Sequence, residues 1–351
     1  MNELFELSDV YMNPNRELEK FTDESGLLGE LCINRVAGIA YGNLKRLANL
    51  RTMKEFENTV TSVYKDNLNR TRTFKKNVEI VAKMLKDADF PYALLKGAYL
   101  TTQVYEEGCR TSNDLDILVE ECNVAKCQNI LKENGFIQGY YNKNENVIVP
   151  ATRREIILSR MNYGETVPFV KLMGQEFFNI DINFSVDFKP EKDKFIVRKL
   201  LSRIKVITFA NTYFYTLDKT SFLIHLCCHL YKEATTMEWV KERRDLQLYK
   251  FSDINVFLHE FTDKLYDDLY TQVKDFGTEK ECYYTLYNTA IIFPRLREVS
   301  KFNEFVERIR PKNLDFMKQI VDPQNQKTYA YKLSFEDWFF VKDKEQYLTE
   351  I

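Results

Sequence analysis

The sequence predicts an α+β protein, with a small mixed β-sheet core, an N-terminal helical segment and a C-terminal helical domain. Short apolar runs at residues 90–95 and 114–119 have the length and composition of buried strands. From residue 218 to the end, long helical periods without a convincing strand pattern predict the helical domain. We therefore divide the chain into a helical segment at residues 1–89, the mixed core at 90–205 and the helical domain at 206–351.

The elements around the core follow from periodicity. Between residues 53 and 86, apolar side chains such as Phe56, Val60 and Val78 recur mostly at three- and four-residue steps, which predicts one amphipathic helix. Residues 98–107 fit a helix between the first two strands. Residues 124–134 fit a helix that ends at Gly135, and residues 136–141 fit the next strand. Residues 144–173 show no clear pattern.

The second strand carries two carboxylates one residue apart. A strand has a side-chain period of two, so Asp114 and Asp116 share one face while Leu115 and Ile117 pack on the other. Like charges that lie close together repel each other unless a cation or a basic group lies between them. Because Mg²⁺ takes oxygen ligands and is often held by one or two carboxylates, this pair predicts a magnesium site.

A glycine-containing turn precedes that strand. Gly97 follows the first strand, and a glycine at a strand-to-helix turn lets backbone N–H groups and the start of the helix approach a phosphate closely. Lys96 and Arg110 add positive charge on either side of the predicted helix. Together with the carboxylates, the turn predicts a site for a metal-bound phosphate.

These two stretches, LLKGAYL and RTSNDLDILV, resemble the signature of polymerase-β-type nucleotidyltransferases, in which a glycine-bearing turn precedes an Asp-x-Asp strand. In particular they resemble the uncharacterised bacterial nucleotidyltransferase family whose first motif is Lys-Gly followed by a small residue. Better-known members carry Gly-Ser at this turn. Here Ala98 follows Gly97, so the serine hydroxyl contact to the phosphates is missing from that position.

The resemblance implies a chemistry and a set of site residues. It implies transfer of a nucleoside monophosphate from an NTP to an acceptor hydroxyl with two Mg²⁺ ions, of which one activates the hydroxyl and the other stabilises the leaving pyrophosphate. The nucleotide-binding residues that it implies in the core are Lys96, Gly97, Ala98, Arg110 and Ser112. It also implies a third metal-binding carboxylate on a later strand.

The run FFNIDINFSV contains a candidate for this third carboxylate. Strict alternation places Ile180, Ile182 and Phe184 on one face and Asp181 with Asn183 on the other. Asp181 matches the position of the third carboxylate in the resembling family. An ordinary half-exposed edge strand would show the same alternation, so that interpretation stays open.

Two further groups of residues lie in the predicted helical domain. The run KERRDLQLYKFSDI resembles the family segment that faces the nucleotide, which implies phosphate or acceptor contacts by Arg243 and Arg244. An ion-pair network with Asp245 is an equally good interpretation. His225 and His229 share a helix face as in half of a zinc site, but zinc needs three or more ligands, so we expect them to pack or to form hydrogen bonds.

Composition bears on the chemical class of the acceptor and on the cellular compartment of the protein. The formal charge of -2 gives no general attraction to nucleic acid, so we favour a small-molecule or peptide acceptor over RNA. A toxin-like enzyme acting on tRNA and a non-catalytic nucleotide-binding or scaffold protein remain as alternatives. Seven cysteines without a Cys-x-x-Cys pair indicate a reducing cytoplasm, and neither a signal peptide nor an apolar run of membrane-spanning length is recognisable.

Overall fold

A computed structural model describes residues 2–13, 19–47, 49–173, 176–186 and 194–351. It contains a mixed six-stranded sheet and extensive helical regions, so the predicted α+β class is confirmed. The chain forms two compact units, one from residues 66–222 and the other from residues 1–65 together with 223–351. The domain boundaries placed at residues 89 and 205 stay a prediction.

The described residues form eleven strands, and the six strands of the larger sheet come from residues 92–183. In chain order the strands are β1 Tyr92–Leu94, β2 Asp114–Val119, β3 Ile137–Asn142, β4 Val147–Pro150, β5 Phe169–Met173, β6 Glu176–Asn183, β7 Ile204–Phe209, β8 Thr212–Leu217, β9 Gln319–Asp322, β10 Lys327–Ala330 and β11 Thr349–Glu350. The first six form one sheet in the order β1-β2-β6-β5-β3-β4. Within it β2 and β6 run parallel, and the other neighbouring pairs run antiparallel.

Helices occupy the stretches where the sequence shows helical periods, and also residues 153–163, where it shows none. They are α1 Asn2–Leu7, α2 Glu24–Ile33, α3 Ala37–Leu44, α4 Lys54–Met84, α5 Gly97–Tyr99, α6 Val124–Glu133, α7 Arg153–Tyr163, α8 Lys194–Leu201, α9 Lys219–Ala234, α10 Met237–Lys241, α11 Leu248–His259, α12 Asp263–Phe276, α13 Glu279–Ile292, α14 Ser300–Arg308 and α15 Phe335–Phe340. No helix in the described ranges is both long and apolar enough to cross a membrane.

One local prediction is wrong and another is correct only in part. The helix expected at residues 98–107 is present as the short α5 followed by a π-helical turn, Leu100–Val104, but it ends before Tyr105, which is extended. The region after residue 218 does contain strands, because β9, β10 and β11 form a three-stranded sheet. Strands of two to four residues are too short for alternation to distinguish them from loops.

One face of the six-stranded sheet forms the core of the unit at residues 66–222. Leu115, Ile117, Ile180 and Ile182 are fully buried there. They pack with apolar side chains of α4 and α6, which include Val78, Val81, Cys127 and Leu131. Burial of each large aliphatic side chain contributes roughly 1.5–3 kcal/mol, so this face strongly fixes which side chains of β2 and β6 point inward. The alternate side chains, among them the aspartates, are directed to the other face.

The β7–β8 hairpin supports the first strand of the sheet. Phe214 is fully buried in the core, and the Thr216 hydroxyl donates a hydrogen bond of 2.7 Å to the Leu94 carbonyl. Leu94 ends β1 and precedes the turn that contains Gly97. The hairpin therefore fixes the backbone that leads into the candidate phosphate turn.

The other unit contains two buried ion pairs. Lys344 Nζ lies 2.5 Å from Asp245 Oδ2, and Lys250 pairs with Glu233, with all four side chains almost fully buried. Removal of one partner of such a pair leaves a charge without compensation and typically costs roughly 3–5 kcal/mol. These pairs therefore fix the packing of α9, α11 and the C-terminal segment within this unit.

Candidate active site

The structure brings the three predicted carboxylates together on one face of the sheet. In the parallel pairing of β2 with β6, Asp116 lies opposite Asp181, and Asp114 lies opposite Asn179. Neighbouring strands are roughly 4.8 Å apart, so the side chains of Asp116 and Asp181 start from adjacent positions. Because β6 lies between β2 and β5, it is not an edge strand, which removes the alternative interpretation of its alternating pattern.

Their surroundings differ. Asp114 is exposed, Asp116 is only 5% exposed and Asp181 is half-buried. Burial raises the pKa of Asp181 well above its ordinary value, and the negative charges of Asp114, Asp116 and Glu165 raise it further, while Lys96 opposes the shift. The protein alone therefore disfavours a full set of negative charges at this point.

Lys96 compensates part of this charge. Its Nζ donates to Asp116 Oδ1 at 2.8 Å, and the Asn183 amide donates to the same oxygen at 3.1 Å. The backbone of Lys96 has a φ of 42°, a left-handed conformation that is strained for a residue with a side chain. Such strain persists only where surrounding contacts enforce it, and it is frequent at functional sites. Lys96 is thus held between the turn and the carboxylates.

Gly97 and Ser112 come from different motifs but lie against each other. A Cβ atom at Gly97 would lie 1.9 Å from Ser112 Oγ and 2.6 Å from Ser112 Cβ, so only glycine fits without movement. Ser112 was among the expected nucleotide-binding residues, and at the position after Gly97 the side chain of Ala98 is fully buried in the core. The structure places the Ser112 hydroxyl beside the turn instead. A turn of this kind offers both backbone and hydroxyl groups to an anion.

Arg110 contacts the Ser112 side chain of this turn. It is 6% exposed, and its guanidinium donates to the Thr111 carbonyl and to Ser112 Oγ, the latter at 3.4 Å. The Thr71 hydroxyl in turn donates to the Arg110 carbonyl at 3.1 Å. Arg110 therefore orients the segment that carries Ser112 and adds a positive charge close to it.

Asn183 and Glu165 were not among the predicted site residues. Asn183 shares the alternation of Asp181, and that signal could have identified it as a neighbour of the carboxylates. Glu165 lies in the segment without a clear pattern. It belongs to the site because its backbone forms an isolated antiparallel β-bridge with Asn183 on β6. A contact of that kind depends on the fold and has no signal in the local sequence.

The donor chemistry of the carboxylates suits Mg²⁺. Within the described residues, no group of three or more His, Cys, Asp or Glu side chains is arranged to hold a metal ion. Lys96 and Asn183 instead bind an oxygen of Asp116. Asp114, Asp116 and Asp181 nevertheless carry the hard carboxylate oxygens that Mg²⁺ prefers as ligands. The type of donor therefore suits Mg²⁺, and the binding of a metal ion by these three residues is a proposal.

The predicted basic residues Arg243 and Arg244 belong to the other unit. Arg243 is exposed and pairs with Asp343 at 2.8 Å, while Arg244 pairs with Glu242 at 3.3 Å and covers the ring of Trp239. Asp245, one of the partners expected for an ion-pair network, pairs with Lys344, and contacts of Arg243 and Arg244 to phosphate or acceptor stay a prediction.

The two histidines of α9 form contacts within their own unit. His225 is buried, and His229 lies 3.4 Å from Glu233. The distance joins His229 Nε2 to Glu233 Oε2. This agrees with packing and hydrogen-bonding roles for these side chains.

Comparison with protein-family models shows the family to which the chain belongs. A family model described as "Uncharacterised nucleotidyltransferase" matches residues 25–294, a range that includes every candidate site residue named above. The comparison with curated proteins found no match, and the comparison with solved structures found none either. The matched range covers most of the chain, and the Lys-Gly turn and the Asp-x-Asp strand lie within it. The chain therefore belongs to the uncharacterised nucleotidyltransferase family.

Proposed function

We propose that this protein transfers a nucleoside monophosphate from an NTP to a hydroxyl group of an acceptor and releases pyrophosphate. The observation that carries the proposal is the pairing of Asp116 with Asp181, with Asp114 on the same face. The Gly97 and Ser112 turn lies beside this group of carboxylates. Together they supply ligands for metal ions and a cradle for phosphates, which are the requirements of nucleotidyl transfer.

Asp114, Asp116 and Asp181 would hold two Mg²⁺ ions in this reaction. When bound, such ions lower the pKa of the acceptor hydroxyl and neutralise charge on the leaving pyrophosphate. The acceptor oxygen forms a bond to the α-phosphorus as the bond between the α- and β-phosphates breaks. Pyrophosphate leaves with the electron pair, and the hydroxyl proton passes to solvent.

The turn residues would bind the triphosphate. Gly97 lacks a Cβ, and the Ser112 side chain occupies the space that a Cβ would need, which brings the Ser112 hydroxyl to the turn as a donor for phosphate oxygens. Arg110 stabilises this arrangement through the hydrogen bond that it donates to Ser112 Oγ. Lys96 holds Asp116 before the metal binds, and its charge is then available to the β- and γ-phosphates. Ala98 would contribute through its backbone, because its side chain is buried.

The acceptor is proposed from charge and the compartment from cysteine content. A net charge of -2 favours a small molecule or a peptide over RNA, although a toxin-like action on tRNA remains the second candidate. A cytoplasmic location accords with seven cysteines, an odd number without Cys-x-x-Cys spacing. Arg243 and Arg244 would contact phosphate or acceptor. A non-catalytic nucleotide-binding role is the third candidate.

Label transfer distinguishes these candidates. The full-length protein is incubated with Mg²⁺, a cell extract and each NTP in turn, labelled at either the α- or the γ-phosphate. We expect the α-label on an acceptor and the γ-label in pyrophosphate. Nuclease and protease treatment of the product then shows whether the acceptor is RNA, a polypeptide or a small molecule.

Two results would contradict the proposal. A γ-label on the acceptor would indicate phosphoryl transfer instead of nucleotidyl transfer. Nucleotide binding without transfer of either label would support the non-catalytic role. Asp116→Asn is the negative control, and Asp89→Asn, an exposed aspartate paired with Lys126, is the matched control that should keep activity.

A further inference from the structure

A cleft of about 700 Å³ extends from the phosphate turn along the sheet. It lies within the unit formed by residues 66–222. Ser112 and Asn113 line one end, next to Asp114, while Tyr141 and Lys143 line the cleft at the end of β3. Between them lies β6, where Phe177 and Asn179 contribute to the wall. The cleft therefore reaches the proposed phosphate turn at Ser112.

One part of the cleft has an aromatic surface. The rings of Tyr141 and Phe177 are stacked, with their centroids 4.6 Å apart and an angle of 23° between their planes. Both side chains are half-buried, and the Lys143 ammonium lies 5.9 Å from the Phe177 centroid. Aromatic side chains beside cationic groups provide a stacking surface for nucleobases.

Asn179 adds a hydrogen-bonding group to the wall. Phe177, Asn179 and Asp181 alternate with the buried Phe178 and Ile180, so they share the face that carries the aspartates. Asn179 Oδ1 is buried and has no hydrogen-bond partner among the described residues. Buried polar atoms are nearly always paired in folded proteins, so this oxygen requires a donor. An amide that both accepts and donates matches the amino group and the ring nitrogen of adenine.

The dimensions of the cleft agree with an NTP. From β2 to β3 the sheet crosses three strand spacings, which is roughly 14 Å. The end near Ser112 is also positively charged, because Arg70 Nη2 donates to Asn113 Oδ1 at 2.7 Å and lines the cleft. A triphosphate can therefore lie at one end while its base reaches the aromatic pair at the other.

We propose that this cleft binds the base of the NTP, that Tyr141 and Phe177 stack against the base, and that Asn179 reads its amino edge. The protein would then prefer ATP to UTP, because uracil has no exocyclic amino group. This inference rests on the proposed function, since it assumes that the triphosphate lies at the Gly97 and Ser112 turn. It adds the base preference and the residues that determine it.

Calorimetric titration of the full-length protein tests the inference. The probes are ATP, UTP and inorganic tripolyphosphate, each with Mg²⁺. We expect the wild type to bind ATP more tightly than UTP, and both more tightly than tripolyphosphate. Tyr141→Leu should weaken ATP binding roughly tenfold, as expected for the loss of one stacking partner, and leave tripolyphosphate binding unchanged. Asn179→Leu should reduce ATP binding to the level of UTP.

The residue before Tyr141 provides a matched control. Tyr140 is an exposed neighbour of Tyr141 on β3, and its side chain points to the opposite face of the sheet. Tyr140→Leu should therefore keep the wild-type affinity for ATP. Phe177→Leu is the second variant at the aromatic pair, and it preserves apolar packing while it removes the ring. Melting temperatures of all variants show that each is folded.

Several outcomes would overturn the inference. Equal binding of ATP, UTP and tripolyphosphate to the wild type would show that the base makes no contact in the cleft. Normal ATP binding by Tyr141→Leu, with a loss only of transfer, would assign the cleft to the acceptor. If the wild type bound none of the three probes, the proposed function would fail together with the inference. If it bound all three and only the base effects were missing, the proposed function would stand.

Discussion

Gly97 illustrates how one missing methyl group can determine a site. The Ser112 side chain occupies the space that a Cβ at residue 97 would need. The Lys-Gly turn identified this glycine in the sequence, and the close approach of phosphate to its backbone stays a prediction. That Ser112 makes this contact could not be predicted, because it depends on how β1 and β2 are paired.

Gly97→Ala should therefore damage the site. The added methyl group would force Ser112 away, at a cost of roughly 1–3 kcal/mol for overpacking. We expect nucleotidyl transfer to fall roughly a hundredfold, since small displacements of positioning groups have effects of that size. Thermal unfolding and transfer rates of the purified variant measure the two effects.

Two variants make this prediction specific. Gly97→Ala combined with Ser112→Gly should recover part of the lost stability, because the clashing atoms are removed. Gly29→Ala in α2, where nothing lies within 4 Å of the added carbon, should be neutral or stabilising. Wild-type activity and stability in Gly97→Ala would contradict the packing described here.

Asp181 should make stability depend on pH in a characteristic direction. Its pKa is raised in the folded protein, first by burial and then by the neighbouring carboxylates. The folded state therefore binds this proton more tightly than the unfolded state, and the destabilisation grows as pH rises from the ordinary range toward the raised pKa. Without metal, Asp181→Asn should thus raise the melting temperature at neutral pH, and this gain should disappear in acid, where Asp181 is protonated.

A second aspartate provides the control for this measurement. Asp89 is exposed, and its hydrogen bond with Lys126 lowers its pKa. Asp89→Asn should therefore show no gain at neutral pH, and because surface pairs contribute little, any loss should be small. A pH-independent effect of Asp181→Asn would show that the site does not carry the uncompensated charge inferred here.

At the scale of elements, strands with a strong pattern were predictable, and the resemblance also implied that β6 lies beside β2 with its polar face turned the same way, which the register confirms. The bounds of β2 agree with the prediction, and β6 was recognised by its alternating residues. The helix α7 was missed although Thr152 and Glu155 form a capping box, which is a recognisable helix start. The parallel pairing of β2 with β6 has no local signal, because it joins segments far apart in the chain.

The hydrogen bond between Thr216 and Leu94 tests the role of the β7–β8 hairpin. Thr216→Val keeps the shape of the side chain but leaves the buried Leu94 carbonyl without this donor. We expect a loss of roughly 1–3 kcal/mol in the free energy of unfolding. Thr208→Val, at an exposed position in the same hairpin, should change it by less than about 0.5 kcal/mol. Chemical denaturation measures both, and equal effects would contradict a supporting role for Thr216.

At the scale of the whole molecule, the motifs predicted the family, and this prediction is confirmed. The transfer chemistry is our proposal, and no motif indicates the acceptor. Motifs carry the metal and phosphate chemistry because those groups need particular residue types at fixed spacing. The cleft that we assign to the base is lined by residues of α4, β3, β6 and the segment before β2, so its composition emerges only after folding. The acceptor leaves no comparable motif.

The basic residues of the second unit allow a test of whether it contributes to the reaction. Arg243 and Arg244 form exposed ion pairs, which contribute little to stability. The double change Arg243→Ala and Arg244→Ala should therefore leave the melting temperature nearly unchanged while it weakens NTP binding or raises KM for the acceptor. Arg308→Ala, a change at another exposed arginine of this unit, is the control. Unchanged kinetics in the double variant would remove these arginines from the site.

The most direct measurement compares nucleotidyl transfer by the wild type and by Asp181→Asn, with Mg²⁺ and an α-labelled NTP. The account predicts that the variant is folded and still gives a thermal shift with Mg²⁺ and NTP, because Asp114 and Asp116 remain. Transfer should fall by at least roughly a thousandfold, since the metal that activates the acceptor hydroxyl loses its ligand. Transfer at the wild-type rate by Asp181→Asn would contradict the central claim that these three aspartates form one catalytic site.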